Sequence, residues 1–165
     1  MEPELRRLVD RQEIEQVLIA YCIHLDRMDL AALAGLFTDD CHVDYSDDPR
    51  LKSNGAADLA KSLERMWRWA RTSHHLSNVV IEFDGADAAS VTSYVYAWHE
   101  RADGSTATIM GQYDDRLVRQ SDTWLIARRR MVMNGSDAGF SVPINAFERL
   151  PPPEGWMPPE QLDKS

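Results

Sequence analysis

Apolar positions in the first part of the chain recur every three or four residues. Ile14, Val17, Leu18, Tyr21, Leu25 and Met28 fall on one stripe, with Glu13, Glu15 and Gln16 largely off it. That spacing predicts an amphipathic helix over about residues 4–26. Asp29 stands where an N-cap belongs. Leu30, Leu33, Leu36 and Phe37 then predict a short second helix, ended by "TDD" at 38–40. "CHVDYS" (41–46) alternates apolar and polar, the period of a short strand. The polar run "DDPRLKSNG" (47–55) is turn-rich. Leu59, Leu63, Met66, Trp67 and Ala70 return to the helical period and predict a third helix over about 56–71.

Strand signals follow. Segments at about 75–84, 88–101, 106–119 and 123–134 are separated by "DGAD", "ADGS" and "RQSD", separators suited to hairpins. Strands joined so closely are antiparallel neighbours. Helix, helix, short strand, helix and four long strands is an α+β order. The expected architecture is a cone-shaped, curved antiparallel sheet wrapped by three N-terminal helices, enclosing a pocket. A length of 165 residues suits one domain, expected over 1–150. "PPPEGWMPPE" (151–160) can be neither helix nor central strand, so residues 151–165 are expected to form an extended Pro-rich tail.

Composition narrows the partners. A hydrophobic fraction of 44% can build a core. The net charge of −9 repels phosphate backbones and anionic membranes, so neither nucleic acid nor membrane is an expected partner. The same balance favours a neutral or cationic small ligand. No apolar run approaches the roughly 20 residues that cross a bilayer, and "MEPELRRLVD" lacks an apolar leader. Cys22 and Cys41 could form one disulfide, but nothing suggests a secreted scaffold. A reduced, cytoplasmic protein is expected. His24, His42, His74, His75 and His99 are scattered, without an H-E-x-x-H or paired-Cys pattern, so no metal is expected. The glycine-rich nucleotide signatures and G-x-S-x-G are absent. Acid–base chemistry without a cofactor is what remains.

Several residues can carry it. Asp26 lies one turn beyond Cys22 at the edge of the apolar stripe, where a half-buried carboxylate needs a partner; it can also simply end the helix or pair with Arg27. In "TSHHLSN" (72–78), His74 and His75 are adjacent, so strand alternation sends them to opposite faces. Tyr21 sits on the apolar stripe, and a buried phenol calls for a hydrogen-bond partner. Tyr94, Tyr96 and Trp98 share one strand face and His99 takes the other; Met110, Gln112 and Asp114 share a face, and Asn78 shares that of His74. Tyr45, Trp67, Asn78, Tyr96, Trp98, Met110 and Gln112 are the candidates to line a pocket. Aromatic stripes on sheets are also common in cores and subunit interfaces. Arg128, Arg129 and Arg130 lie on a predicted strand, the middle one facing opposite to its neighbours, and pairing with Asp114, Asp115 or Glu82 explains them better than a basic patch.

The stretches "EIEQVLIAYCIHLDRMDLAALAGLFTDDC" (13–41), "HHLSNVVIEFDGADAASVTSYVYAWH" (74–99) and "GQYDDRLVRQSDTWLIARRRM" (111–131) carry a resemblance. With the pattern Y-x-x-x-x-D-x-x-D followed by LF-x-x-D, they are similar to the SnoaL-like branch of the cystatin-like cone superfamily, which includes nuclear transport factor 2. The likeness covers about residues 10–134. It is nearest to scytalone dehydratase, bile-acid 7α-dehydratase and hexachlorocyclohexane dehydrochlorinase. The resemblance implies a dyad of Asp26 and His74, His74 rather than His75 acting as base, and Tyr21 as a possible acid. Imidazole, with a free pKa near ~6.5, exchanges protons near neutrality, and a carboxylate on its far nitrogen fixes the tautomer. The expected function is a cofactor-independent lyase or isomerase, dehydratase-like, acting on a hydrophobic steroid, polyketide or terpenoid-like molecule. Because such folds host many activities, a non-catalytic ligand-binding protein and the small subunit of a ring-hydroxylating dioxygenase remain alternatives. The resemblance also implies a homodimer or homotrimer assembled through the outer sheet face.

Overall fold

A computed structural model of the protein describes residues 2–137 and residue 154. The expected tail at 151–165 lies otherwise outside the described residues.

Helix α1 spans Pro3–Asp26, opening with proline in its first turn, where a missing N–H costs nothing. Ile14, Leu18, Tyr21, Cys22 and Leu25 are buried on its inner face, the stripe predicted from the period. It stops at a Schellman motif. Met28 takes φ 56, its N–H bonds the Leu25 carbonyl and the Asp29 N–H bonds that of His24. Met28 therefore lies beyond the helix, and Asp26 is fixed in its final turn. Asp29 caps α2 (Leu30–Ala34) through a 3.1 Å bond from Ala32 N–H.

Two boundaries differ from expectation. The second helix is shorter than predicted: Phe37 and "TDD" belong to strand β1 (Phe37–Asp44), where Phe37 is buried beside the last strand. After β2 (Lys52–Asn54), helix α3 (Ala56–Leu63) gives way at Glu64–Arg68 to a 3₁₀ turn. Three residues per turn replace 3.6, so Leu63, Met66 and Trp69 succeed one another inward while Trp67 is turned out to solvent, 61% exposed. The third helix does not reach residue 71; that residue begins β3.

Strands β3 (Arg71–Phe83), β4 (Ala88–Glu100), β5 (Thr106–Gln120) and β6 (Thr123–Ser136) form an antiparallel meander. Among the described residues the curved sheet has six strands in the order β2-β1-β6-β5-β4-β3, and its one departure from antiparallel pairing is β1 beside β6. The helices cover the concave face, giving the cone expected from the element order.

Irregularities in the strands decide which side chains enter the cone. Register shifts in β3 between Ser77 and Val80, with Asn78 at φ 51. One extra residue reverses the alternation: Thr72, His74 and Leu76 face in before it, Val79, Ile81 and Phe83 after it. A second shift, between Arg116 and Leu117, changes the inward set of β6 from Trp124 and Ile126 to Arg129, Met131 and Met133.

Arg129 consequently points into the core, where it meets Asp115. Its Nε and Nη2 donate to the two carboxylate oxygens at 2.8 and 2.7 Å, and both side chains are fully buried. The guanidinium lies 4.1 Å from the ring centroids of both Tyr21 and Tyr113. Burial pushes the Asp115 carboxyl up, against the charge and hydrogen bonds of Arg129; the two-pronged geometry needs acceptor oxygens on both sides, so the pair is ionised. Replacing Asp115 with Ala leaves a buried cation alone and is expected to cost about 3–5 kcal/mol of stability, read from urea unfolding. A cost below about 1 kcal/mol would show that the pair does not hold this region together.

Candidate active site

The end of α1 and the start of β3 meet at one carboxylate. Asp26 Oδ1 accepts from the Thr72 hydroxyl at 2.7 Å and contacts His74 Nδ1 at 2.6 Å, while Oδ2 accepts from the His74 backbone N–H at 2.9 Å. The His74 side chain is 5% exposed and that of Asp26 24%. Burial pushes the Asp26 carboxyl up, but the hydrogen bonds and charge of His74 and the Thr72 hydroxyl outweigh it and hold the group below its ordinary value. An ionised carboxylate only accepts, so Nδ1 carries a proton, and in the neutral form of the ring Nε2 is the acceptor. That is the arrangement a general base requires.

His74 lines a half-open cavity of about 90 Å³ under the cone's concave face. Leu25, Leu63, Ala97, Ile109, Met66, Met131 and Met133 make it apolar. Tyr21 and Tyr45 supply hydroxyls in contact at 2.5 Å. Burial raises the Tyr21 phenol, against the Arg129 charge, and holds Tyr45 and Tyr113 well above their ordinary value. All three stay protonated and able to donate. Cys22, behind this wall, is pushed by burial up to about 12 and is no nucleophile.

The structure thus brings Tyr21, Asp26, Tyr45 and His74 to one place and turns His75 outward. The other six expected lining residues lie elsewhere. Tyr96 and Met110 are 48% and 43% exposed on the convex face, joined there by Trp98 and Gln112. The inward positions of β4 are the odd ones, Ala89, Val91, Ser93, Val95, Ala97 and His99; small residues face the hollow and large aromatics the outside. Asn78 leaves the His74 face at the bulge and borders an outer groove with Tyr94 and Gln112. Trp67 is turned away by the 3₁₀ geometry. Among the described residues, no group of three His, Cys, Asp or Glu side chains could hold a metal, and no helix is long and apolar enough to cross a membrane.

His99, Tyr113 and Met131 are cavity residues the sequence did not single out. The signal for His99 was its parity: it shares a face with Val91, Val95 and Ala97. Its ring meets His74 edge-on, centroids 5.4 Å apart, and Trp69 at 5.0 Å.

The chain belongs to the family described as SnoaL-like domain, whose model matches residues 6–130. A crystal structure of a candidate scytalone dehydratase from Novosphingobium aromaticivorans is 30% identical, superposes with a TM-score of 0.82 and is matched over 88% of this chain and 98% of that one. Hexachlorocyclohexane dehydrochlorinase LinA-type3 from Novosphingobium barchaimii shares the fold at a TM-score of 0.73 and 20% identity, over 90% of this chain and 99% of that one. An uncharacterised protein of Mycobacterium tuberculosis is 28% identical over 127 residues, 73% of this chain and 82% of its own.

Desolvation, and then the nearby His74, push the His99 imidazole down to about 4, below the free value near ~6.5. Between those values the unfolded chain binds a proton that the folded chain refuses, so stability falls as pH drops from about 6.5 to about 4. The expected loss is about 2 kcal/mol after allowance for solvent screening. Urea unfolding across that range should show the slope flattened in His99→Gln; an equal slope in both proteins would contradict the assignment.

Proposed function

We propose that the protein is a cofactor-independent lyase or isomerase of the dehydratase type. The observation that carries this reading is the 2.6 Å contact between Asp26 and His74 Nδ1 at the edge of an apolar cavity. His74 Nε2 takes a proton from a carbon activated by a neighbouring carbonyl. Asp26 stabilises the imidazolium that forms. Tyr45, with Tyr21 behind it, donates a hydrogen bond to the oxygen on which charge accumulates. The electron pair of the broken C–H bond becomes a carbon–carbon double bond as a hydroxyl leaves from the next carbon. The proton on His74 passes to that hydroxyl, and water departs with nothing oxidised or reduced. Return of the proton to a different carbon gives isomerisation from the same first step.

The cavity bounds the reacting part. Its volume is below the roughly 150 Å³ of an apolar void that takes up benzene, which favours one ring or less and speaks against a steroid or polyketide nucleus lying wholly inside. The methionines on its wall can adjust. The 30% identity to a candidate scytalone dehydratase supports elimination of water. Tyr94, Tyr96 and Met110, exposed together on the convex face, suit the assembly of copies through the outer sheet.

Ring-sized hydroxy-ketones screened for loss of water, with exchange of the activated C–H followed by NMR in deuterated water, test the reading. His74→Ala and Asp26→Asn are each expected to lower turnover by about 10²–10⁴-fold, with the fold retained. Full turnover by His74→Ala on a substrate that the protein converts would contradict it.

A further inference from the structure

The chain carries 27 acidic and 18 basic side chains, yet the cavity reverses that balance. Arg65 and Arg68 line it, and no Asp or Glu among the described residues does. Both come from the 3₁₀ turn at Glu64–Arg68, in which residues three apart eclipse one another, so the two guanidinium groups are presented on the same side. Arg65 lies 5.5 Å from the Tyr45 ring centroid, and its Nη1 donates to the carbonyl and hydroxyl of Ser62. Arg68 sits 5.3 Å from the Trp69 ring, which Arg101 approaches to 4.6 Å. Among the described residues neither Arg65 nor Arg68 makes an ion pair, whereas Arg71, Arg116, Arg119 and Arg129 all do. Partial burial, then the charges of Arg65 and Arg101, already push Arg68 below its ordinary value. Ring contacts account for where these side chains lie, but not for Arg65 and Arg68 converging with no ion-pair partner among the described residues.

We propose that Arg65 and Arg68 form an oxyanion-binding rim that holds a carboxylate or phosphate group of the substrate while its apolar part enters the cavity toward His74. The proposal rests on the cavity being the active site and adds the substrate's charge class to it. It reverses the expectation from net charge, because the local potential at a cleft, not the sum over the molecule, decides what approaches. It also reconciles a small cavity with a larger substrate: only the reacting portion needs to fit inside, and a charged handle stays at the solvent-exposed rim.

Phenylacetate, phenyl phosphate and neutral phenylacetamide, titrated into the full chain by calorimetry and tryptophan emission, test this directly. At least one of the two anions is expected to bind about tenfold or more tighter than the amide, and the tighter anion identifies the handle. The preference should shrink in about 0.5 M salt and fall to less than about twofold in Arg65→Gln/Arg68→Gln. Arg68→Glu, at an exposed position, should abolish or invert it, and serves alone if the double variant unfolds. His74→Ala should keep the preference while losing turnover, so failure of the rim and failure of the base chemistry read separately. An amide that binds as tightly as the anions, a preference unchanged in the arginine variants, or no saturable binding by either anion overturns the proposal.

Discussion

The Asp26 carboxylate ties the last turn of α1 to the start of β3. It receives a hydroxyl, a backbone N–H and a ring nitrogen, all from residues 72–74. Three donors on one small group fix its position and charge together. The rest of the site follows. The helix must end where it does, so Met28 adopts a left-handed conformation that terminates it. Strand β3 must begin early enough to bring Thr72 and His74 inward, so the preceding segment tightens into a 3₁₀ turn. That same turn sets Met66 and two arginines at the cavity's edge.

A second polar construction lies deeper. Asp115 and Arg129, with the rings of Tyr21 and Tyr113 on the guanidinium, stand behind the hydroxyl pair of Tyr21 and Tyr45. The cavity is thereby apolar along its walls and polar at its ends, with the Asp26-bound imidazole of His74 at one and phenols held protonated at the other. Such a hollow can receive a developing negative charge without rearranging.

Much of this was legible in the sequence, for identifiable reasons. The 3.6-residue period of α1 located Asp26 in its last turn, and alternation separated His74 from His75. Period also gave the correct pairing of faces in β4 and β5, but not their sense. Large aromatics suggested the pocket side, whereas a concave surface around a hollow is built from small residues such as Ala97 and Ser93. Bulges, which no local pattern announces, reversed the parity at Asn78 and brought Arg129 inward. The third helix was drawn too long because Trp67 fits the helical period; the 3₁₀ turn that displaces it answers to tertiary packing.

The protonation pattern of His74 is the point on which the account stands. Long-range proton–nitrogen correlation NMR of the histidine side chains, near neutral pH in the absence of ligand, reads it directly. The account predicts His74 with its proton on Nδ1 and a bare Nε2, and loss of that tautomer in Asp26→Asn. A proton resident on Nε2 in the unaltered protein, or a tautomer indifferent to Asp26, would contradict it.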